Sequence, residues 1–520
     1  MANVEDILKR AKDAESRKHE WRDLLEDTQF YFNTPRENID NENEISKGQR
    51  EEGQGVIYDS TPFDSLQKGA SNIHSSLTPP NRHWIDFQAG SQVENTADLQ
   101  KNLGKIKEIM FGALANSNFD TAISESYQDL FIGTGALLVF KGDEQTPFRF
   151  VSVPLEQMLL EEGVHGRIDG AFRCFHIAVR NIEKTWEDVE LDEELKEMLE
   201  EKPSERVELL ESTIPDRITI TTPEDGTREV DGYRYCVIHK KTKKCIVERE
   251  MTSSPWVVFR WSKSSGEVYG RGPAMFALPD AKTLNKTKEL LLQSASMNIT
   301  GMFTAVDDGV IDPEKMVLGP AAIIPVQSNG GPMGPTLQPL QTPSDINLAQ
   351  IIIQDLVNRI NSIMLADPLG PIDLPVKTAT EVSLRQQELS KRIGATFGRL
   401  QYELITPLVN RLLDILDELG LIDLGGLRVD GSVIAIKPIS PLAQAQANEE
   451  FSNVLRLMEV MAQTYGPQLV ALALPPDKFL KEAAPLLNIK EGFIPTEEEM
   501  EQLRAMLQQM MAAQQGAPQA

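Results

Sequence analysis

Apolar positions recur at helical spacing along most of the chain. Ile7, Leu8, Ala11, Ala14, Trp21, Leu25 and Phe32 predict one helix over residues 4–32. Thr34-Pro35 ends it, because the residue before proline avoids the α region. Residues 60–77 read as a helix closed by Pro79-Pro80. Leu99, Leu103, Ile106, Met110 and Leu114 predict another, and Phe119, Ile123, Tyr127 and Leu130 a further one. The pattern changes at Gly133 to short β-branched and aromatic runs at 136–140, 148–153, 172–179, 218–222, 233–239, 245–250 and 256–261, which read as strands. Residues 240–244 form the turn of a hairpin. Residues 181–212 interrupt the strands with 13 acidic and 4 basic residues, and predict a solvated, helix-rich excursion.

Helices return after Gly272. Residues 278–299 carry Leu278, Ala281, Leu284, Leu291, Ala295 and Ile299 on one stripe, with Lys282, Lys286, Glu289, Gln293 and Ser296 opposite. Residues 345–365 place Leu348, Ile352, Leu356, Ile360 and Ile363 on one face. Each helix spans roughly 30 Å. Between them, residues 300–343 hold seven Pro and six Gly, which forbids long helices and predicts short strands and turns. The result is an αα-hairpin with an elaborate tip. Three prolines and a glycine make 366–377 a loop. Thr378-Ala379-Thr380-Glu381 fits a capping box. It opens a helix striped by Leu389, Ile393, Phe397, Leu400, Leu404, Leu408, Leu412, Ile415 and Leu419. Pro407 is expected to kink this helix and Gly420 to stop it. A strand at 427–438, helices at 442–465 and 477–487, and a last helix from Thr496 to Ala513 complete the pattern, before a Gln/Ala/Pro tail expected to be disordered. The fold class is α+β, mainly helical.

At roughly 100–200 residues per domain, 520 residues predict three or four units. The 41% hydrophobic and 25% charged content is ordinary for a soluble protein. The charge balance is not: 52 Lys+Arg against 78 Asp+Glu leave a net charge of −26. That excludes a broad grip on DNA by phosphate neutralisation and leaves only weak, sliding contact. Cys174, Cys236 and Cys245 lack CxxC spacing, so neither a disulfide framework nor a zinc site is expected, and the expected compartment is reducing. No apolar leader and no apolar run near 18 residues is present, so neither a secretory signal nor a membrane helix is expected.

Catalytic motifs are missing. There is no GxxxxGK[ST], HExxH or GxSxG, and Gly133-Thr134-Gly135 lacks the third glycine of a dinucleotide fingerprint. Ser65-Leu66-Gln67-Lys68 matches SxxK without the partner motifs of that site, and reads as a helix face. The six histidines are scattered, with Pro79-Pro80 between the closest pair, His74 and His83. No catalytic residue, metal ligand or cofactor is expected. The reading is of a structural or assembly protein, not an enzyme.

Two blocks then carry a specific resemblance. Val268-Tyr269-Gly270-Arg271-Gly272-Pro273-Ala274-Met275, continued by Ala277 to Asn285, resembles the signature of the head-to-tail connectors, the portal proteins of short-tailed (podovirus) phages. Thr380-Glu381-Val382 with Arg385 and Glu388, then Gly398-Arg399-Leu400-Gln401 to Glu403 and Thr406-Pro407-Leu408-Val409, resembles a second block of that family. Trp21 in the first helix and Asp59-Ser60-Thr61-Pro62 before the next also fit.

The resemblance implies a homo-oligomeric ring of about twelve subunits at one capsid vertex. It would be the channel for double-stranded DNA in genome packaging and ejection, located at the head-tail junction of the virion after assembly in the host cytoplasm. Implied partners are the major capsid and scaffold proteins, the terminase large subunit and tail adaptor or nozzle proteins, with no membrane contact and no cofactor. The implied map is a wing (1–277), first stem helix (278–299), clip (300–343), second stem helix (344–365), channel loop (366–377), kinked wing helix and strand (378–440) and crown (441–520). Lys282, Lys286, Lys288 and Arg359 are the channel-lining candidates. Asp367, Pro368, Leu369, Gly370, Pro371, Ile372, Asp373 and Leu374 are the candidate constriction. Gly270, Arg271, Gly272 and Pro273 are the expected bend from wing to stem, with the glycines permitting the turn and Pro273 blocking an earlier helix start. An acidic wall suits a conduit, because like charge keeps the duplex from sticking. The alternative is a non-ring scaffold or internal core protein, which predicts elongated helices without the β-rich region and the Pro/Gly module.

Overall fold

The β-branched middle of the chain supplies the framework. A computed structural model describes residues 4–33, 56–80, 82–89, 97–163, 166–186, 188–222, 226–300, 303–305, 337–339, 346–366, 394, 396–422, 434–439, 456, 458–461 and 463. The chain divides into two units. The first is Met1–Trp21, Lys68–Gly272 and Asp367–Ala520; the second is Arg22–Gln67 and Pro273–Ala366.

In place of the single N-terminal helix expected, the chain forms α1 (Val4–His19) and α2 (Arg22–Phe32). The break falls at Glu20-Trp21, where Trp21 N–H donates to Lys18 O at 2.9 Å. No proline or glycine announces it. The basic run Arg17-Lys18-His19 sits where a helix C-terminus favours cations, and the Trp21 ring is engaged by Tyr269 at 6.5 Å between centroids. Next come α3 (Thr61–Leu77), β1 (Ile85–Ala89), α4 (Ala97–Ala115) and α5 (Phe119–Ile132).

The strands from β2 to β9 make two sheets. β2 (Thr134–Lys141), β3 (Phe148–Ser152) and β9 (Trp256–Arg260) form an antiparallel sheet in the order β3-β2-β9. β4 (Met158–Glu162), β5 (Ile168–Ala178), β6 (Arg206–Thr222), β7 (Gly226–His239) and β8 (Lys244–Met251) follow one another across a five-stranded antiparallel sheet. One face of the larger sheet packs Leu159, Phe172, Leu210, Cys236 and Ile238 against Ile7, Ala11 and Ala14 of α1. The opposite face packs Phe175, Leu209, Tyr235 and Val237 against α6 (Val179–Thr185) and α7 (Glu193–Glu201). β6 and β7 are longer than the apolar runs predict. Their register continues from Leu209↔His239 to Thr222↔Gly226, past the last pairs with β5 (Ala171↔Thr213) and β8 (Tyr233↔Met251).

The acidic insert is only partly the solvated excursion expected. Trp186 and Leu195 are core residues, and Trp186 Nε1–H donates to Tyr235 Oη at 2.9 Å. Asp192 caps α7 by accepting from Leu195 N–H at 2.8 Å, and its other oxygen lies 2.9 Å from His239 Nδ1. Below this, Tyr235 donates to Glu211 Oε1 at 2.7 Å. Burial pushes the Glu211 carboxyl upward, against the pull of Arg173.

A helical stretch over 396–400 runs into a π turn, Gln401–Ile405, and α10 (Thr406–Glu418). Pro407 follows closely on this turn. Pro407 has no N–H to give, and Thr406 N–H reaches back five residues to Gln401 O. Gly420 ends α10 as expected. It lies at φ +68°, its N–H bonds Asp417 O at 2.9 Å, and Leu421 N–H bonds Leu416 O at 3.0 Å, a glycine-terminated helix end. β12 (Ile434–Pro438) pairs antiparallel with β1. The capping box at Thr378, the helix at 477–487, the helix from Thr496 and the tail lie outside the described residues, as does all but a few helical positions of 442–465.

The second unit holds α2, the start of α3, α8 (Pro273–Thr300), β10 (Phe303–Ala305), β11 (Leu337–Pro339) and α9 (Ile346–Ile363). β10 and β11 pair antiparallel. The helix expected from 278 opens instead at Pro273. Proline is favoured at the first helical position, where its missing N–H costs nothing, so the helix starts at Pro273 itself and, as expected of this residue, no earlier.

The charged centre of the first unit is Arg260, 2% exposed. Its Nη2 donates to Glu403 Oε1 at 2.7 Å and its Nε to Glu403 Oε2 at 3.2 Å. Its remaining donors reach Val268 O at 3.1 Å and Gly166 O at 3.0 Å. Glu403→Ala leaves this guanidinium buried without its counter-charge, and should cost about 3–5 kcal/mol, read as a lowered urea midpoint with an unchanged m-value.

Candidate functional site

The first signature block is held to the sheet by its backbone. Tyr269 is buried, and its hydroxyl lies 3.3 Å from both Met158 O and Leu160 N. Gly270 N–H donates to Thr134 Oγ1 at 2.9 Å, Arg271 N–H to Ser262 O at 2.8 Å, and Gly272 N–H to Ile132 O at 3.1 Å. A Cβ on Gly270 would stand 2.4 Å from Gly133 O, and one on Gly272 2.0 Å from Phe131 O. Neither glycine has a positive φ. They serve close backbone approach.

Arg271 stays local. Its Nε and Nη2 donate to the Glu267 carboxylate at 3.0 and 2.5 Å, and the guanidinium lies 5.5 Å from the Trp21 ring centre. That guanidinium holds the Glu267 carboxyl below its ordinary value.

In the second unit each channel-lining candidate stands beside an acid of its own chain. Lys282 Nζ lies 2.5 Å from Asp27, Lys286 Nζ 2.8 Å from Glu289, Lys288 Nζ 2.7 Å from Asp59 and Arg359 Nη2 3.2 Å from Asp280. The Lys288 pair differs from the others, because the Asp59 side chain is 3% exposed. Burial opposes its ionisation, but Lys288 and Thr61 outweigh that and hold its carboxyl below the usual carboxylate range.

Two polar anchors of this unit went unread in the sequence. Asn285, the last residue of the first block, accepts from Tyr58 N–H at 2.6 Å and donates to Val56 O at 3.0 Å. Ser65 Oγ lies 2.6 Å from Asn361 Oδ1 and 2.7 Å from Thr61 O, which accounts for the serine of the SxxK match as a helix-packing group. A polar residue facing an apolar stripe is the signal that marks both. The constriction candidates Asp367 to Leu374 lie outside the described residues. His74 approaches Asp120 at 3.8 Å, and His83 stacks on Phe111. No group of metal-ligating side chains occurs among the described residues, and no helix among them is long and apolar enough to cross a membrane.

A family model for the bacteriophage head to tail connecting protein matches residues 4–494. The chain belongs to the head-to-tail connecting protein family. Its relatives include a probable portal protein of Bordetella phage BPP-1, 21% identical over 474 residues and covering 89% of this chain and 84% of the relative. The portal protein of Salmonella phage epsilon15 is 22% identical over 420 residues, covering 78% and 74%. Among solved structures, a chain from the virion of a native gene transfer agent particle covers 82% of this chain and 96% of its own length, at 12% identity and a TM-score of 0.35. A head-to-tail connecting protein is a structural component, not an enzyme, and its place is the junction of capsid and tail in the virion.

For this connector two outcomes follow. Gly272→Ala forces a Cβ into a backbone carbonyl that has no rotamer to yield, and should cost at least about 1–3 kcal/mol, read as a lowered thermal midpoint. Asp59 tests the charge pairing. A carboxyl whose folded pKa is depressed adds stability above its unfolded value and loses it as pH falls through the folded one. The stability advantage of the natural protein over Asp59→Asn, from urea unfolding, should therefore be full above about pH 4 and shrink below it. An advantage that persists undiminished into strong acid contradicts the pairing.

Proposed function

We propose that the chain is a portal subunit, about twelve copies of which close into a ring at one capsid vertex. Double-stranded DNA passes through the ring in packaging and ejection. In this reading residues 278–299 and 344–365 are the stem, 300–343 the clip, 366–377 the channel loop, 1–277 and 378–440 the wing and 441–520 the crown. The ring assembles in the host cytoplasm with the major capsid and scaffold proteins. It docks the terminase large subunit, then tail adaptor or nozzle proteins.

The observation that carries the ring lies on the helix pair of the second unit. Leu348, Ile352, Leu356 and Ile360 stand four apart, so they form one stripe of α9. Leu356 and Ile360 are buried, while Leu348 and Ile352 are exposed, and Ile351 beside them is 67% exposed. α8 repeats the division, with Leu278, Ala281 and Leu284 buried and Leu290 and Leu292 exposed. Exposed apolar surface on this scale marks an interaction site, and a stripe buried along half its length calls for a second copy over the rest. The names of the two phage relatives support the same reading.

The cations suit a conduit. Lys282, Lys286, Lys288 and Arg359, facing the channel, each carry a carboxylate within 2.5–3.2 Å. A phosphate has to compete with that carboxylate, so the wall guides the duplex without holding it.

Electron microscopy of the purified chain, with rotational-symmetry analysis of end-on views, tests the reading. Rings of about twelve subunits with a hole that clears a duplex about 20 Å wide are expected; monomers or open filaments at all salt and protein concentrations defeat it. Ile351→Asp should abolish the rings while changing the unfolding free energy of the unassembled chain by less than about 0.5 kcal/mol.

A further inference from the structure

A cavity of about 780 Å³ opens within the first unit, lined by β9, the start of β5 and the π turn. One backbone edge faces it unused. Val139 N–H bonds Pro255 O and Trp261 N–H bonds Gly133 O, so on β9 the alternate residues Val257 and Phe259 share the ladder with β2. Trp256, Val258 and Arg260 turn their backbone groups the other way. Trp256 N–H is taken by Ser254 Oγ at 3.1 Å and Arg260 N–H by Glu403 Oε2 at 2.9 Å. Among the described residues nothing takes the outward N–H and C=O of Val258.

Two further features of the lining have no use in the fold. Trp256 is 5% exposed, yet its indole Nε1–H has no acceptor, and the shielded Asn410 Oδ1 has no donor. In a chain of net charge −26, the lining holds four cationic side chains against two carboxylates. Arg260 is spent on Glu403 and Lys263 on Glu162. Arg167, which lies over the Tyr402 ring, and Arg399 have no carboxylate partner among the described residues.

We infer that this cavity receives an extended, acidic segment of a second copy of the chain, added edge-on to β9 at Val258. The inference rests on the ring reading and names a contact that would join its subunits. Each open group asks for the same guest. The edge at Val258 asks for a peptide group about 4.8 Å away, the Trp256 indole for an acceptor, Asn410 for a donor, and the two guanidinium groups for a carboxylate. A peptide in β conformation carrying Asp or Glu supplies all of them, and adds to an open sheet edge in a known mode. The chain is the fitting source, because 78 of its own residues are acidic and each copy carries both cavity and guest. A contact between two different surfaces then repeats around a closed ring.

The test places a photo-crosslinking residue at Tyr402, which is 52% exposed. Full-length protein is assembled from an equal mixture of isotopically light and heavy copies, irradiated and analysed by mass spectrometry. Light-to-heavy crosslinks to an Asp/Glu-containing segment are expected. In parallel, the Arg167→Glu, Arg399→Glu double variant should raise the concentration needed for half-assembly at least about tenfold, while Arg167→Lys, Arg399→Lys largely retains it. Rings that form with only intramolecular crosslinks, or with full assembly of the Glu variant, overturn the inference and leave the ring intact. Failure of the unsubstituted protein to assemble removes the ring and this contact together.

Discussion

The fold of the first unit turns on one buried charge. A guanidinium taken out of water is tolerated only where its donors are matched and its charge is met. Arg260 finds a carboxylate from the π turn, a carbonyl just before the glycine pair and another at the start of β5. These partners are 8, 94 and 143 positions from it in sequence. The π turn places Glu403 at the end of β9, and Val268 leads directly into the backbone contacts of Gly270 to Gly272. The two blocks that carry the family resemblance, one ending at Asn285 and one containing Glu403, therefore meet at a single side chain that belongs to neither.

Long apolar stripes were the most legible part of the fold. α4, α5, α8 and α9 follow the periodicity, because on those helices burial is decided by one face. In the five-stranded sheet β5, β7 and β8 were legible at their apolar runs, but of the central β6 only 218–222 was, because its first residues fall in the charged stretch read as a helix-rich excursion. At the start of β7 the run from Gly226 to Gly232 holds one apolar residue, Val230, so period and propensity carry little signal there. The break at Trp21 was hidden because its cause is tertiary, an aromatic and a cation from the signature block. Burial of the acidic insert was hidden for a similar reason: Trp186 and Leu195 are two apolar residues in a charged background, and Asp192 works as a cap and not as a solvated acid.

The candidate site divides in the same way. Sequence singled out four cations on the helix pair without the distant acids that pair with two of them, since Asp27 and Asp59 lie more than two hundred residues from Lys282 and Lys288. Glycines 270 and 272 were conspicuous as glycines, yet their role depends on how near another backbone comes, which no local pattern reports. The constraint that makes these positions intolerant is volume at the point where the first unit gives way in sequence to α8.

The distal part of the β6–β7 ribbon, where Asp216 to Thr222 pair with Gly226 to Gly232, has no further strand on either long edge among the described residues. In a dilute monomer that matters little. In the ring proposed above, every copy would offer the same two edges to its neighbours at very high local concentration. Charged residues on the ribbon, Asp216, Arg217, Glu229 and Asp231, are what discourages stray edge-to-edge pairing. The same charges would then keep crowded subunits of that ring from zipping together in the wrong order.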